Sequence, residues 1–77
     1  MNIDDLGEGG TAQILAIAAR EADLETKLRE IGFCEGDEVE LLARGPLGGQ
    51  PLAVRLNRRI IALRRNEARA ILVEAAS

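Results

Sequence analysis

Apolar side chains in this chain recur mostly at every second position and shift to a helical spacing once. In the first alternating run, Thr11 to Ala18, the residues Ala12, Ile14 and Ala16 alternate with polar or small neighbours, which predicts a strand. From about Ala22 to Ile31 the period lengthens: Leu24, Leu28 and Ile31 sit at i, i+4 and i+7, with charged residues around them, which predicts a short amphipathic helix. Asp23 is placed to cap its start and Gly32 to end it in the left-handed conformation. Phe33, the sole aromatic, is expected to pack back on Leu28 as a core plug, with Cys34 as a small packed residue beside it.

Alternation resumes after the Gly36-Asp37 turn. In Glu38 to Ala43, Val39, Leu41 and Ala43 share one face, opposite Glu38, Leu42 and Arg44. The loop Gly45-Pro46-Leu47-Gly48-Gly49-Gln50-Pro51 then leads into Leu52 to Leu56, with Val54 and Leu56 inward and Arg55 outward. A tight turn follows at Asn57-Arg58, because asparagine tolerates positive φ. In Ile60 to Arg64, Ile61 and Leu63 face inward while Ile60, Ala62 and Arg64 face out. Asn66 to Ala70 makes one helical turn, and Ile71 to Glu74 forms the last strand with Ile71 and Val73 inward. The fold class is therefore mainly β with one short α-helix: five short strands in a small antiparallel barrel, the helix capping one end. The expected core is Ala12, Ile14, Leu24, Leu28, Ile31, Phe33, Val39, Leu41, Val54, Leu56, Ile61, Leu63, Ile71 and Val73.

Seventy-seven residues suit one domain, with its core from about 4 to 74, near the size at which a single core holds without staples. The chain contains no apolar run long enough to span a membrane, and its acidic start, Met1-Asn2-Ile3-Asp4-Asp5, is unlike a secretory signal, so a cytoplasmic location is expected. One cysteine excludes an internal disulfide. The net charge of −3 conceals an uneven distribution. Residues 1 to 40 hold eleven acids against three bases, and residues 41 to 77 hold two acids against seven arginines. If these halves separate on the surface, the molecule carries a charge dipole able to orient a partner.

Several kinds of chemistry are missing. The chain has no histidine, tyrosine or tryptophan, and its one serine is the last residue, so Ser/His or Cys/His nucleophile pairs are excluded. Carboxylates and Cys34 offer at most weak metal binding, and no cofactor is expected. Gly7-Glu8-Gly9-Gly10-Thr11-Ala12 has the spacing of a dinucleotide fingerprint without the strand before it or the helix after it, and the match reads as accidental. Arg55, Arg58, Arg59, Arg64, Arg65 and Arg69 form a basic set, but no aromatic platform accompanies them for stacking bases, and no nucleic-acid partner is expected.

The ordered set Gly9, Ala12, Ile14 and Ile17; Leu28, Ile31-Gly32-Phe33 and Gly36; Val39 and Leu41; Pro46-Leu47-Gly48-Gly49 with Pro51; Val54 and Leu56; Ile61-Ala62-Leu63-Arg64; then Glu67-Ala68, Ile71 and Val73 resembles the FeoA family. These are small partners of the bacterial ferrous-iron permease FeoB, and the same domain ends the DtxR-type iron-dependent regulators. The resemblance implies a five-stranded SH3-like barrel without enzymatic activity. It also implies docking on the cytosolic GTP-binding part of a FeoB-like permease, or, as an alternative, a metal-responsive regulatory domain. Asn57-Arg58 departs from the family's frequent glycine before the fourth strand. Candidate partner-binding residues are Pro46, Leu47, Gln50 and Pro51, since a leucine on a Gly/Pro loop has no core to fill, and Ile60, which faces outward and could extend the same patch. An exposed barrel edge and apolar loop also permit weak self-association.

Overall fold

The computed structural model describes residues 1–76 of the chain. A 3₁₀ turn at Ile3–Asp5 precedes β1 (Thr11–Ile17), α1 (Ala22–Ile31), β2 (Glu38–Gly45), β3 (Gly49–Leu56), β4 (Arg59–Leu63), α2 (Arg65–Arg69) and β5 (Ile71–Ala75). The five strands and the helix after the first strand lie where the hydrophobic periods place them. The strands build one antiparallel sheet in the order β4-β3-β2-β1-β5. Among the described residues β4 and β5 do not pair, so the sheet is a barrel-like curl that stays open at this seam. The N-terminal segment and α2 occupy that side. Val73 donates its N–H to the Met1 carbonyl at 2.8 Å, Asn2 bridges Leu72, and α2 packs on the 3₁₀ turn, β3 and β5.

Two β-bulges shift the expected faces. In β1 the register against β5 slips between Ile14 and Ala16, so Ile17 takes the inward place that unbroken alternation assigns to Ala16. In β2 the register against β3 slips between Leu41 and Ala43, which leaves Ala43 exposed and sets Arg44 across from the buried Leu52. An extra residue reverses the parity of everything beyond it. Unbroken alternation puts Arg44 on the outer face with Leu42; the bulge instead turns it toward the 3₁₀ turn, where it meets the Asp4 and Leu6 carbonyls.

Of the expected core, Leu24, Ile31 and Ile61 are only half-buried at its edge, and the other eleven residues are buried. Ile3, Leu6, Ile17, Leu52, Ala68 and Ala70 join it. Two local expectations fail. The α1 N-cap is Glu21, which makes no side-chain capping bond, and Asp23 lies inside the first turn, where its charge still complements the helix dipole. Cys34 is exposed rather than packed. Gly32 ends α1 as expected: its φ of 125° is open to glycine at little cost, and its N–H reaches the Leu28 carbonyl at 3.2 Å. Asn57 turns the chain between β3 and β4 with φ 57°.

Candidate functional site

The β2–β3 hairpin is tighter than a loop from Gly45 to Pro51 implies. Leu47 and Gln50 exchange backbone hydrogen bonds at 3.2 and 3.3 Å around Gly48 and Gly49, whose φ values are 67° and 89°. Positive φ at both central positions marks a mirror-image two-residue turn, whose twist matches that of the flanking strands. Its tip is consequently fixed. Leu47 stands out from it at 76% exposure, with Pro46 and Pro51 also exposed. The Gln50–Pro51 peptide is cis.

Gln50 behaves differently from the other candidates. It is half-buried, and its Oε1 accepts the Arg65 backbone N–H at 2.8 Å, so its side chain ties the hairpin to the start of α2. Arg65 adds a second tie by donating from Nη2 to the Gly48 carbonyl. Ile60 is 65% exposed, as expected for an outward residue. The structure does not bring it to the hairpin: Ile60 pairs with Arg55, six residues along β3 from Gly49, or about 20 Å at the rise of a strand. Leu47 and Ile60 therefore belong to separate surfaces.

Beside the hairpin lies an open groove of about 1000 Å³ between the start of α1 and α2, with Gln50, Arg65 and Arg69 in one wall and Glu21, Asp23 and Lys27 in the other. Behind Arg65 and Arg69, three guanidinium groups converge on one carboxylate. Arg44 Nη1 lies 2.9 Å from Asp4 Oδ1, while Arg69 Nε and Arg65 Nε lie 3.1 and 3.7 Å from Oδ2. Arg44 also donates to the backbone carbonyls of Asp4, at 2.5 Å, and Leu6, at 3.2 Å. The Asp4 side chain is only 14% exposed. The hydrogen bond from Arg44, helped by Arg69, holds its carboxyl below the usual range against the opposing effect of burial.

A second polar link joins α1 to α2. Glu67, 5% exposed, accepts from Lys27 and from the Arg64 backbone N–H, the latter at 2.8 Å. Burial alone would raise its pKa; the Lys27 and Arg64 donors outweigh that and lower it. In the sequence Arg65 and Arg69 stand out only as members of a basic set. Their i, i+4 spacing on one helical turn was the available signal that they act together. Nothing local announced Asp4 as their partner.

No three of the described Cys, Asp and Glu side chains gather as a metal site, and no described helix is long and apolar enough to cross a membrane. A family model described as the FeoA domain matches residues 1–75. No curated protein matches. Among solved structures, the chain is similar to the zinc-complexed FeoA of Stenotrophomonas maltophilia, a procaryotic SH3 domain protein described as a candidate ferrous-iron transport activating factor, with 34% identity and TM-score 0.85 over 96% of this chain and 89% of that one. It is also similar to the FeoA protein of Chlorobium tepidum, with 31% identity and TM-score 0.88 over 100% of this chain and 71% of the other. A manganese-dependent transcriptional repressor shares the fold at TM-score 0.88 and 18% identity, with 99% of this chain spanning 41% of the repressor. At that identity the likeness shows the fold alone.

Proposed function

The chain belongs to the FeoA family, and on that premise we propose that it is a cytoplasmic, non-enzymatic accessory of ferrous-iron uptake that docks on the cytosolic GTP-binding part of a FeoB-like permease. The observation that carries this reading is Leu47: a large apolar side chain, 76% exposed, on a hairpin tip braced by Arg65. A bare leucine on a fixed turn loses little conformational freedom on binding, which favours a protein contact. Pro46 and Pro51 frame it. The sole histidine-dependent routes to nucleophilic catalysis are closed by composition, which agrees with a docking role. The alternative of a metal-responsive regulatory domain gains only a shared fold from the manganese-dependent repressor.

Titrating the cytosolic domain of the permease with the native chain and with Leu47→Arg tests the reading. Docking through the hairpin predicts binding by the native chain and loss of roughly tenfold or more in the variant, as for an anchor residue at an interface centre. Equal affinity removes the hairpin from the contact.

A further inference from the structure

The arginine cluster around Asp4 gives the hairpin surface a second recognition element. Arg44, Arg65 and Arg69 share a single carboxylate, so three positive charges face one negative charge. Glu8 forms no ion pair with these arginines; its Oε2 accepts the Arg44 backbone N–H at 3.1 Å. Glu67 is engaged by Lys27 and Arg64. Arg65 and Arg69 line the groove and remain partly open, their side chains 36% and 61% exposed, with donors to spare beyond Asp4. Arg65 meanwhile touches Gly48, one residue from Leu47. An apolar anchor and an under-neutralised arginine pair thus stand side by side on one rigid support.

The geometry points to an acidic, leucine-bearing segment of a partner protein as the ligand of this groove. Its apolar residue would meet Leu47, and its carboxylate would take the free guanidinium donors of Arg65 and Arg69. Charge complementarity selects the occupant: Arg20, Lys27, Arg65 and Arg69 outnumber Glu21 and Asp23 in the groove lining, and guanidinium forks match carboxylates in geometry as well as sign. The groove is open and lies next to an apolar tip, a shape that suits a peptide chain better than a compact anion. Asp4 then acts as an internal stand-in for the partner's carboxylate, competing for the same arginines. The inference rests on the docking reading for the role of Leu47 but names the partner's chemistry independently of which protein carries it.

Fluorescence anisotropy with a labelled peptide of glutamate and leucine, and with its lysine-for-glutamate counterpart, tests the groove directly. The acidic peptide should bind the native chain, weaken as salt is raised, and lose roughly tenfold in affinity with Arg69→Gln, whose side chain holds only Asp4 and is mostly exposed. Asp4→Asn separates binding from structure: removal of the competing carboxylate should tighten the peptide even as it lowers the melting temperature, whereas a purely structural cluster would lose both. Equal binding of the two peptides, insensitivity to Arg69→Gln, or a site that inorganic phosphate saturates while the acidic peptide is ignored would overturn the assignment. If the acidic peptide binds but the permease domain does not, the groove stands and the docking reading falls; if the permease domain binds equally to the native chain and Arg69→Gln, the groove alone falls.

Discussion

Gln50 and Arg65 lock the hairpin to the second helix: the Gln50 Oε1 accepts the Arg65 backbone N–H at 2.8 Å, while the Arg65 guanidinium reaches back to the Gly48 carbonyl. The backbone N–H at the start of a helix has no partner within the helix, and here a side chain fifteen residues earlier supplies it. Replacing Gln50 with alanine removes one hydrogen bond of ordinary strength, a loss of about 0.5–1.5 kcal/mol. Amide hydrogen exchange at Leu47 and Gln50 should quicken in Gln50→Ala by more than in the β1 amides. Uniform exchange would mean that the latch does not brace the tip.

Gly45 faces a different constraint. A Cβ built there falls well inside contact distance of the Gln50 carbonyl oxygen and carbon, both backbone atoms that cannot swing away. Gly45→Ala should therefore destabilise the protein by about 1–3 kcal/mol through overpacking, read as a lowered midpoint in urea with an unchanged slope. Gly7→Ala, where nothing lies within 4 Å of the added atom, is the matched control.

Leu41 and Leu63 are fully buried in the core. An aspartate at either position would place a charge among aliphatic side chains with no counterion, at a cost of several kcal/mol. For a domain of this size that approaches or exceeds the total stability, so Leu41→Asp and Leu63→Asp should be unfolded by circular dichroism at neutral pH.

The buried end of the Lys27–Glu67 pair makes Lys27 informative. Lys27→Met leaves Glu67 with the Arg64 N–H but without its cation, so burial should push the carboxyl pKa upward. A raised folded value shrinks what the ionised Glu67 contributes, so the variant should be less stable at neutral pH and lose less of its stability on acidification below about pH 4.5 than the native chain does. Identical acid titrations of the two melting temperatures would show that Lys27 does not set the charge state of Glu67.

Acid stability of the native chain follows from three carboxylates whose folded values are depressed. Asp4 is held below the usual carboxylate range by Arg44, Glu67 is lowered by Lys27 and Arg64 against the opposing effect of burial, and Glu35 is lowered to about 2, chiefly by its Arg29 hydrogen bonds. Each is ionised more readily in the folded state, so its contribution is complete above its unfolded value and is lost as pH falls through the folded one. The melting temperature should hold above about pH 4.5 and decline progressively toward about pH 2, where Glu35 takes up its proton. Stability that rises on acidification over that interval would contradict the ion pairs.

Period-two alternation in Val39–Leu41, Val54–Leu56 and Ile71–Val73 and the i, i+4, i+7 spacing of Leu24, Leu28 and Ile31 determined the strands, the helix and most of the core, because burial on one face of an element is a local property of the chain. The exposed leucine of the hairpin was legible for the same reason: a turn of glycine and proline has no inward face for it. Tertiary structure alone decided the rest. Each bulge depends on the partner strand, and only the one after Leu41 turns Arg44 toward Asp4. The groove is assembled by contacts between Asp4 and arginines 40 and 65 residues away, and by Glu67 reaching Lys27 across 40 residues. Spacing within a sequence carries no record of such encounters, since they exist only once the sheet has curled and α2 has settled against the N-terminal turn.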